Sequence, residues 1–162
     1  MGNFRDLKRP LWFIELAKKN PMYNFTMIGG ISNKYLYEEC KKQGNTLQNL
    51  VFLGPKDFEE VNEYFECAKC FVCTSEVEGF PNTFLQAWSN SIPVLTTFDP
   101  SERVTNYKLG KYVTDFDELD SGVSYILDEE YSDLQSAIVE YFKTNHNSEF
   151  RYKELMEFIN RH

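Results

Sequence analysis

No stretch of this sequence approaches the ~20 consecutive apolar residues of a membrane-spanning helix, so no such helix is predicted. No secretory leader is expected either. The opening MGNFRDLKRP is a charged segment that runs straight into an amphipathic one, and the expected location is cytoplasmic. Basic excess is lacking. The net charge is -8, and the 48 positions from Asp115 to His162 hold 12 acids against 4 bases, while the rest is balanced at 13 of each. Binding to nucleic acid needs basic surface to neutralise phosphate, so that class of partner is excluded. Histidine is scarce, with His146 and His162 both remote from the cysteines. Repeats, low-complexity tracts and internal linkers are absent as well.

What is present suits one folded domain spanning 1–162. Hydrophobic residues make up 42% and aromatics 16%, enough for a substantial core. Three of the four cysteines, Cys67, Cys70 and Cys73, are spaced C-x2-C-x2-C, a pattern that can hold a metal. Cys67 ends a helical pattern, however, and Cys70 and Cys73 lie in an apolar strand. Positions three apart on a strand face opposite ways, and no fourth ligand lies nearby. The expectation is reduced thiols, with no metal and no disulfide.

Apolar runs alternate with helical patterns. Helices are expected at 11–19, 33–42, 57–67 and 82–90, with Asp57 a cap for the third. Strands are expected at 25–28, 50–54, 70–73, 92–97 and 111–113, and helices fill the chain from about 116. Short, non-alternating apolar strands between helices predict an α/β domain: a doubly wound, Rossmann-like parallel sheet of five or six strands, covered on both faces. Ligands of such sheets bind at the carboxyl ends of the strands, near the switch in strand order.

The loop and helix Thr74–Trp88, TSEVEGFPNTFLQAW, are the richest part of that edge. A carboxylate, Glu78, is followed by Gly79, Phe80 and Pro81, and then Asn82 and Thr83 open a helix. A helix start presents unpaired N–H groups and partial positive charge to an anion. Asn82 and Gln86 lie one turn apart on one face. A second cluster, Arg5, Lys8 and Arg9 against Asp6, makes the amino end locally basic and marks it as an anion site. A capped helix with a solvated polar stripe would produce much of this pattern without binding anything.

The run EGFPNTFLQAWSNSIPV resembles the signature of retaining glycosyltransferases of family 4, of the two-domain GT-B fold, in which E-x7-E precedes a G-x-PV turn. GNFRDLKRP is similar to that family's first strand and loop, G-R-L-x3-K-G, and FTMIGG and VFLG match the strands that follow in order and spacing. The resemblance covers nearly the whole chain and corresponds to the carboxyl-terminal, donor-binding half. It implies the following roles. Glu78 contacts the donor sugar, and Gly79, Phe80, Pro81 and Asn82 surround sugar and phosphate. Thr83 offers its N–H to the diphosphate, Lys8 binds the same group, and position 86 grips the ribose. Three positions depart from the pattern. Gln86 replaces a Glu, Asn3 stands where an Arg is usual, with Arg5 two residues on as a substitute, and Ser91 replaces a Gly.

The resemblance further implies a nucleoside diphosphate sugar as ligand and no cofactor or metal. It implies an acceptor domain on the amino-terminal side, absent here and without which this half transfers nothing. It points to polysaccharide or glycolipid assembly, with peripheral association of the full-length enzyme at the inner face of the membrane. In such enzymes the last helix returns to the other domain, and Phe150, Leu155, Phe158 and Ile159 would supply its apolar face. A degenerate, binding-only module of the same fold stays open beside this reading. A phosphorylase-type domain lacks its cofactor lysine motif here, and a receiver-like domain lacks its acidic pair.

Overall fold

The computed structural model describes residues 2–146, so the face expected at Phe150 to Ile159 lies outside the described residues. The elements follow the expected alternation. A 3₁₀ turn, Asp6–Lys8, leads into α1 (Pro10–Lys19), β1 (Phe25–Ile28), α2 (Lys34–Gly44), β2 (Leu50–Gly54) and α3 (Phe58–Cys67). Then come β3 (Phe71–Cys73), α4 (Asn82–Ser89), β4 (Val94–Thr96), the short α5 (Arg103–Asn106) and β5 (Gly110–Tyr112). α6 (Phe116–Ser124), one turn of π-helix (Tyr125–Glu129) and α7 (Tyr131–His146) complete the described chain.

Local chemistry sets several helix starts. Asn33 caps α2 by accepting from the Leu36 N–H at 3.1 Å, and Asp115 caps α6 through Glu118 at 2.9 Å. At α3, Asp57 accepts from the Glu60 N–H at 2.9 Å while the Glu60 carboxylate accepts from the Asp57 N–H at 3.2 Å, a reciprocal capping box. α4 ends where the Ser91 N–H donates to Trp88 and the Ile92 N–H to Ala87. That pattern needs a left-handed residue after the cap, and Ser91 supplies it at φ 58°. The family's usual glycine would carry no steric cost there.

All strand pairs are parallel, and helices cover both faces. α1, α2 and α6 pack one core around Ile14, Leu16, Cys40 and Leu119, with Leu95 of β4 turned toward it. α3, α4 and α7 pack the other around Phe65, Phe84, Trp88 and Ile138, with Val94 turned that way. The adjacent residues Val94 and Leu95 thus serve opposite cores, as strand geometry requires.

One difference from expectation concerns the sheet. The five strands form two ladders, β1–β2 and β3–β4–β5, rather than one sheet. Among the described residues no strand joins β1 to β3. Two cavities follow the gap, one of about 60 Å³ near Gly2 and Lys8 and one of about 440 Å³ running down between Thr26 and Val72.

Candidate functional site

The carboxyl edge of the strands gathers three segments: residues 2–9, the loop after β3, and the start of α4. The first is held from two sides. Gly2 and Phe4 donate to the carbonyls of Ile28 and Gly30, both at 3.0 Å. A Cβ on Gly29 would lie 1.7 Å from the Gly2 carbonyl oxygen, so this pass requires glycine at position 29. On the other side the Thr74 hydroxyl donates to the Lys8 carbonyl at 2.6 Å, and the Glu76 N–H to the Leu7 carbonyl at 2.8 Å.

Arg9 fastens this junction. Its Nε donates to the Thr74 carbonyl at 2.8 Å, and one Nη donates to the Ser75 carbonyl at 3.2 Å and the Thr97 hydroxyl at 2.9 Å. The guanidinium also lies 4.2 Å from the Trp12 ring centre. Its backbone is left-handed, φ 44° and ψ 54°, a conformation that favours glycine, so these bonds hold it against its own preference.

The result is an ion pair between Lys8 Nζ and Glu78 Oε1, with the two side chains only 33% and 21% exposed. Ser75 donates to the same carboxylate oxygen at 2.7 Å. Burial pushes the Glu78 carboxyl up, but the hydrogen bonds from Lys8 and Ser75 and the charges of Lys8 and Arg5 outweigh it. The net effect is to hold it below its ordinary value.

α4 begins beside this pair without a cap. Pro81 occupies the cap position in extended conformation and has no side-chain acceptor, so no side chain satisfies the first N–H groups of the helix. Phe84 donates to the Pro81 carbonyl at 3.0 Å, which leaves the Asn82 and Thr83 N–H groups as the open donors.

Lys8, Glu78, Pro81 and Thr83 therefore line one cavity, with Asn3 and Ser75. The other expected residues stand apart from it. Arg5 is exposed and reaches Glu78 only through its charge. Gly79 has open space around it, and Asn82 is exposed. The Phe80 ring packs edge-on to Trp88, with centroids 6.1 Å apart, under Arg103 at 5.5 Å. Gln86 is half-buried on α4, where its carbonyl accepts from Ser89 and Asn90. Asn3 accepts from the Gly30 N–H at 3.2 Å. Sequence reasoning missed Ser75 and the fastening by Arg9. Ser75 stands three residues before Glu78, and that spacing was its only signal.

The cysteines do not converge. Cys67 is exposed at the end of α3, and among the described residues no group of three or more metal-ligating side chains gathers. Burial pushes the Cys40 thiol up to about 11 and that of Cys70 up to about 12. No described helix is long and apolar enough to cross a membrane.

Comparison with known proteins fits this arrangement. No curated protein matches the sequence. The fold is similar to that of S. aureus TarM, solved with UDP, at a TM-score of 0.75 and 18% identity over 98% of this chain and 35% of that one. It is similar to the C-terminal domain of the group 1 glycosyl transferase LpcC of Francisella tularensis, at 0.72 and 19% over 91% and 84%. It is also similar to the UDP-GlcNAc 2-epimerase of Neisseria meningitidis, at 0.60 and 16% over 84% and 37%. The chain thus spans about a third of TarM and most of the isolated LpcC domain. Its architecture is the Rossmann-like one of GT-B glycosyltransferases, and the family "Glycosyl transferases group 1" matches residues 1–144 of the sequence, so the chain belongs to that family.

Proposed function

We propose that this chain is the donor-binding half of a retaining, family 4 glycosyltransferase that moves a hexosyl unit from a nucleoside diphosphate sugar, in polysaccharide or glycolipid assembly. The observation that carries the reading is the meeting of Lys8, Glu78 and the uncapped start of α4 at one strand edge. When the bond between the anomeric carbon and the diphosphate breaks, negative charge builds on the diphosphate. On this reading Lys8 and the N–H groups of Asn82 and Thr83 would stabilise that charge without a metal. Glu78 holds the Lys8 ammonium at the cavity. A bound diphosphate draws on the same ammonium, and Glu78 turns to the sugar hydroxyls.

Gln86, one turn along the helix from Asn82, would accept from the ribose, and Arg5 would add charge at the rim. The acceptor belongs to an amino-terminal domain, so this half alone binds donor and transfers nothing. Cytoplasmic location, with the full-length enzyme at the inner face of the membrane, is part of the same proposal.

Gln86 and Asn3 favour a second reading, a degenerate module that binds sugar nucleotides without turnover. A neutral acceptor is weaker than a carboxylate at the ribose. Titrating the domain with UDP-, GDP- and ADP-sugars by thermal shift tests donor binding, because a ligand of the folded state raises its apparent stability. Assaying the full-length protein for transfer, with product anomers read by NMR, separates the readings. An α-linked product from an α-donor supports the first. Binding without transfer or hydrolysis supports the second, and no shift with any donor sinks both.

A further inference from the structure

Arg9 does not line the cavity shared by Lys8, Glu78 and Thr83, yet its side chain is bonded to the loop that carries Glu78. We propose that Arg9 is a positioning residue: by fixing the carbonyls of Thr74 and Ser75 it sets where Lys8 and Glu78 meet, without touching what they bind. For what the pair binds, this rests on the donor-binding reading. For how the pair is held, it does not.

The contacts close a ring. Lys8 and Arg9 are neighbours in the chain. The Arg9 fork holds the Thr74 carbonyl at 2.8 Å and the Ser75 carbonyl at 3.2 Å. The Ser75 hydroxyl donates to Glu78 Oε1 at 2.7 Å, and Glu78 returns to Lys8 through the ion pair. A second tie runs alongside, from the Thr74 hydroxyl to the Lys8 carbonyl at 2.6 Å. Thr97, only 8% exposed, anchors the ring just past the end of β4. Its hydroxyl accepts from Arg9 at 2.9 Å and donates to the Ser75 carbonyl at 2.8 Å.

The left-handed backbone at position 9, φ 44° and ψ 54°, favours glycine, and the pattern G-R-L-x3-K-G that residues 2–9 resemble ends in one. An arginine kept there must offset that strain through its contacts. Among the described residues Arg9 enters no ion pair, so its donors go to two carbonyls and a hydroxyl, with its plane against the Trp12 ring. A guanidinium makes such forked, stacked contacts in fixed geometry, which an ammonium does not. Burial pushes the Glu78 carboxyl up, while the hydrogen bonds from Lys8 and Ser75 and the charges of Lys8 and Arg5 bring it down. Arg9 does not act there through its charge, so its hold on Glu78 is one of place.

The test is the titration of the Glu78 carboxyl, followed by NMR on the carboxyl-labelled chain, in wild type, Arg9→Gly and Arg9→Lys. Glycine suits the left-handed backbone, and lysine keeps the charge but not the fork. In both variants Glu78 should titrate higher than in wild type, because burial still raises it while Lys8 and Ser75 no longer meet it in register. UDP should bind both variants about tenfold more weakly by calorimetry, since the pair is no longer preorganised. In the full-length enzyme kcat should fall about ten- to a hundredfold, as small misplacements of reacting groups do. A Glu78 titration unmoved in both variants overturns the proposal, and a lower urea midpoint beside it would mean that Arg9 only stabilises the fold. A lysine variant that behaves as wild type overturns it too, because charge would then suffice. Thr97→Val, which leaves Arg9 in the chain, decides the matter if the Arg9 variants do not fold. It should raise the Glu78 titration in the same direction, and no rise overturns the proposal. If wild type binds no UDP while the Arg9 variants still shift Glu78, the donor-binding reading fails and the placement by Arg9 stands.

Discussion

Two acidic residues stand in equivalent places, each in the loop between a strand and the helix that follows. Asp57 sits immediately before α3 and closes its own capping box with Glu60. Glu78 sits four residues before α4, caps nothing, and is held by Lys8 and Ser75. The first carboxylate satisfies its helix start, while the second leaves that start open to an anion. The intervening Gly79-Phe80-Pro81 makes the difference. Those residues carry Glu78 too far back to cap, and they end in a proline whose side chain cannot accept. On the proposed reading, chemically similar residues do structural work at one loop and site work at the other, and substitution should separate the two.

The largest effect is expected at Glu78. Glu78→Ala should lower kcat of the full-length enzyme by at least about a hundredfold, as loss of a transition-state contact does. Binding of free UDP or GDP by calorimetry should stay close to wild type, since Lys8 and the α4 start remain. Abolished nucleotide binding would show that the contact belongs to the nucleotide, not the sugar. Next, Pro81→Asp would move the α3 solution to α4. A cap there should stabilise the fold by about 0.5–1 kcal/mol and weaken diphosphate binding about tenfold, because the added carboxylate occupies the donors and repels the anion. Unchanged affinity would remove the helix start from the site.

Asp57→Ala should cost about 1 kcal/mol in urea unfolding and leave nucleotide affinity alone. Gln86→Ala should weaken nucleotide by about 0.5–1.5 kcal/mol, the value of one neutral hydrogen bond, and Gln86→Glu should hold or raise affinity. The smallest effect is one of pH. The Glu78 carboxyl is held below its ordinary value of 4.5, so its contribution to stability is complete above that value. It fades as pH falls through the lower folded value. The urea midpoint of wild type minus that of Glu78→Gln should therefore shrink on acidification below about 4.5. A difference that grows instead would mean that burial, not Lys8, sets the proton affinity.

Much of this was legible in the sequence because it is local. Apolar runs marked all five strands to within a few residues, and Asp57 could be read as a cap because it stands at the start of a helical pattern. Glu78, Lys8 and Thr83 were found by motif, and they do share a cavity. Long-range geometry was not legible. That Ser75 and Lys8 would meet on one carboxylate oxygen depends on how β3 lies against residues 2–9. That Phe80 would turn to Trp88 and Arg103 depends on where the fold brings those two side chains, 8 and 23 residues further along the chain. The split into two ladders was also hidden, because strand patterns say which residues are strands but not which neighbour each one has.

The Arg9 guanidinium grips the loop after β3 and the loop after β4 at once, from a segment that belongs to neither. Three stretches of chain that could wander separately are thereby reduced to one wandering body. Ordering a loop on binding consumes free energy that would otherwise appear as affinity. The Arg9 bonds supply part of that ordering from within the chain, so a donor bound at this edge, as proposed, would spend less of its affinity on fixing these loops.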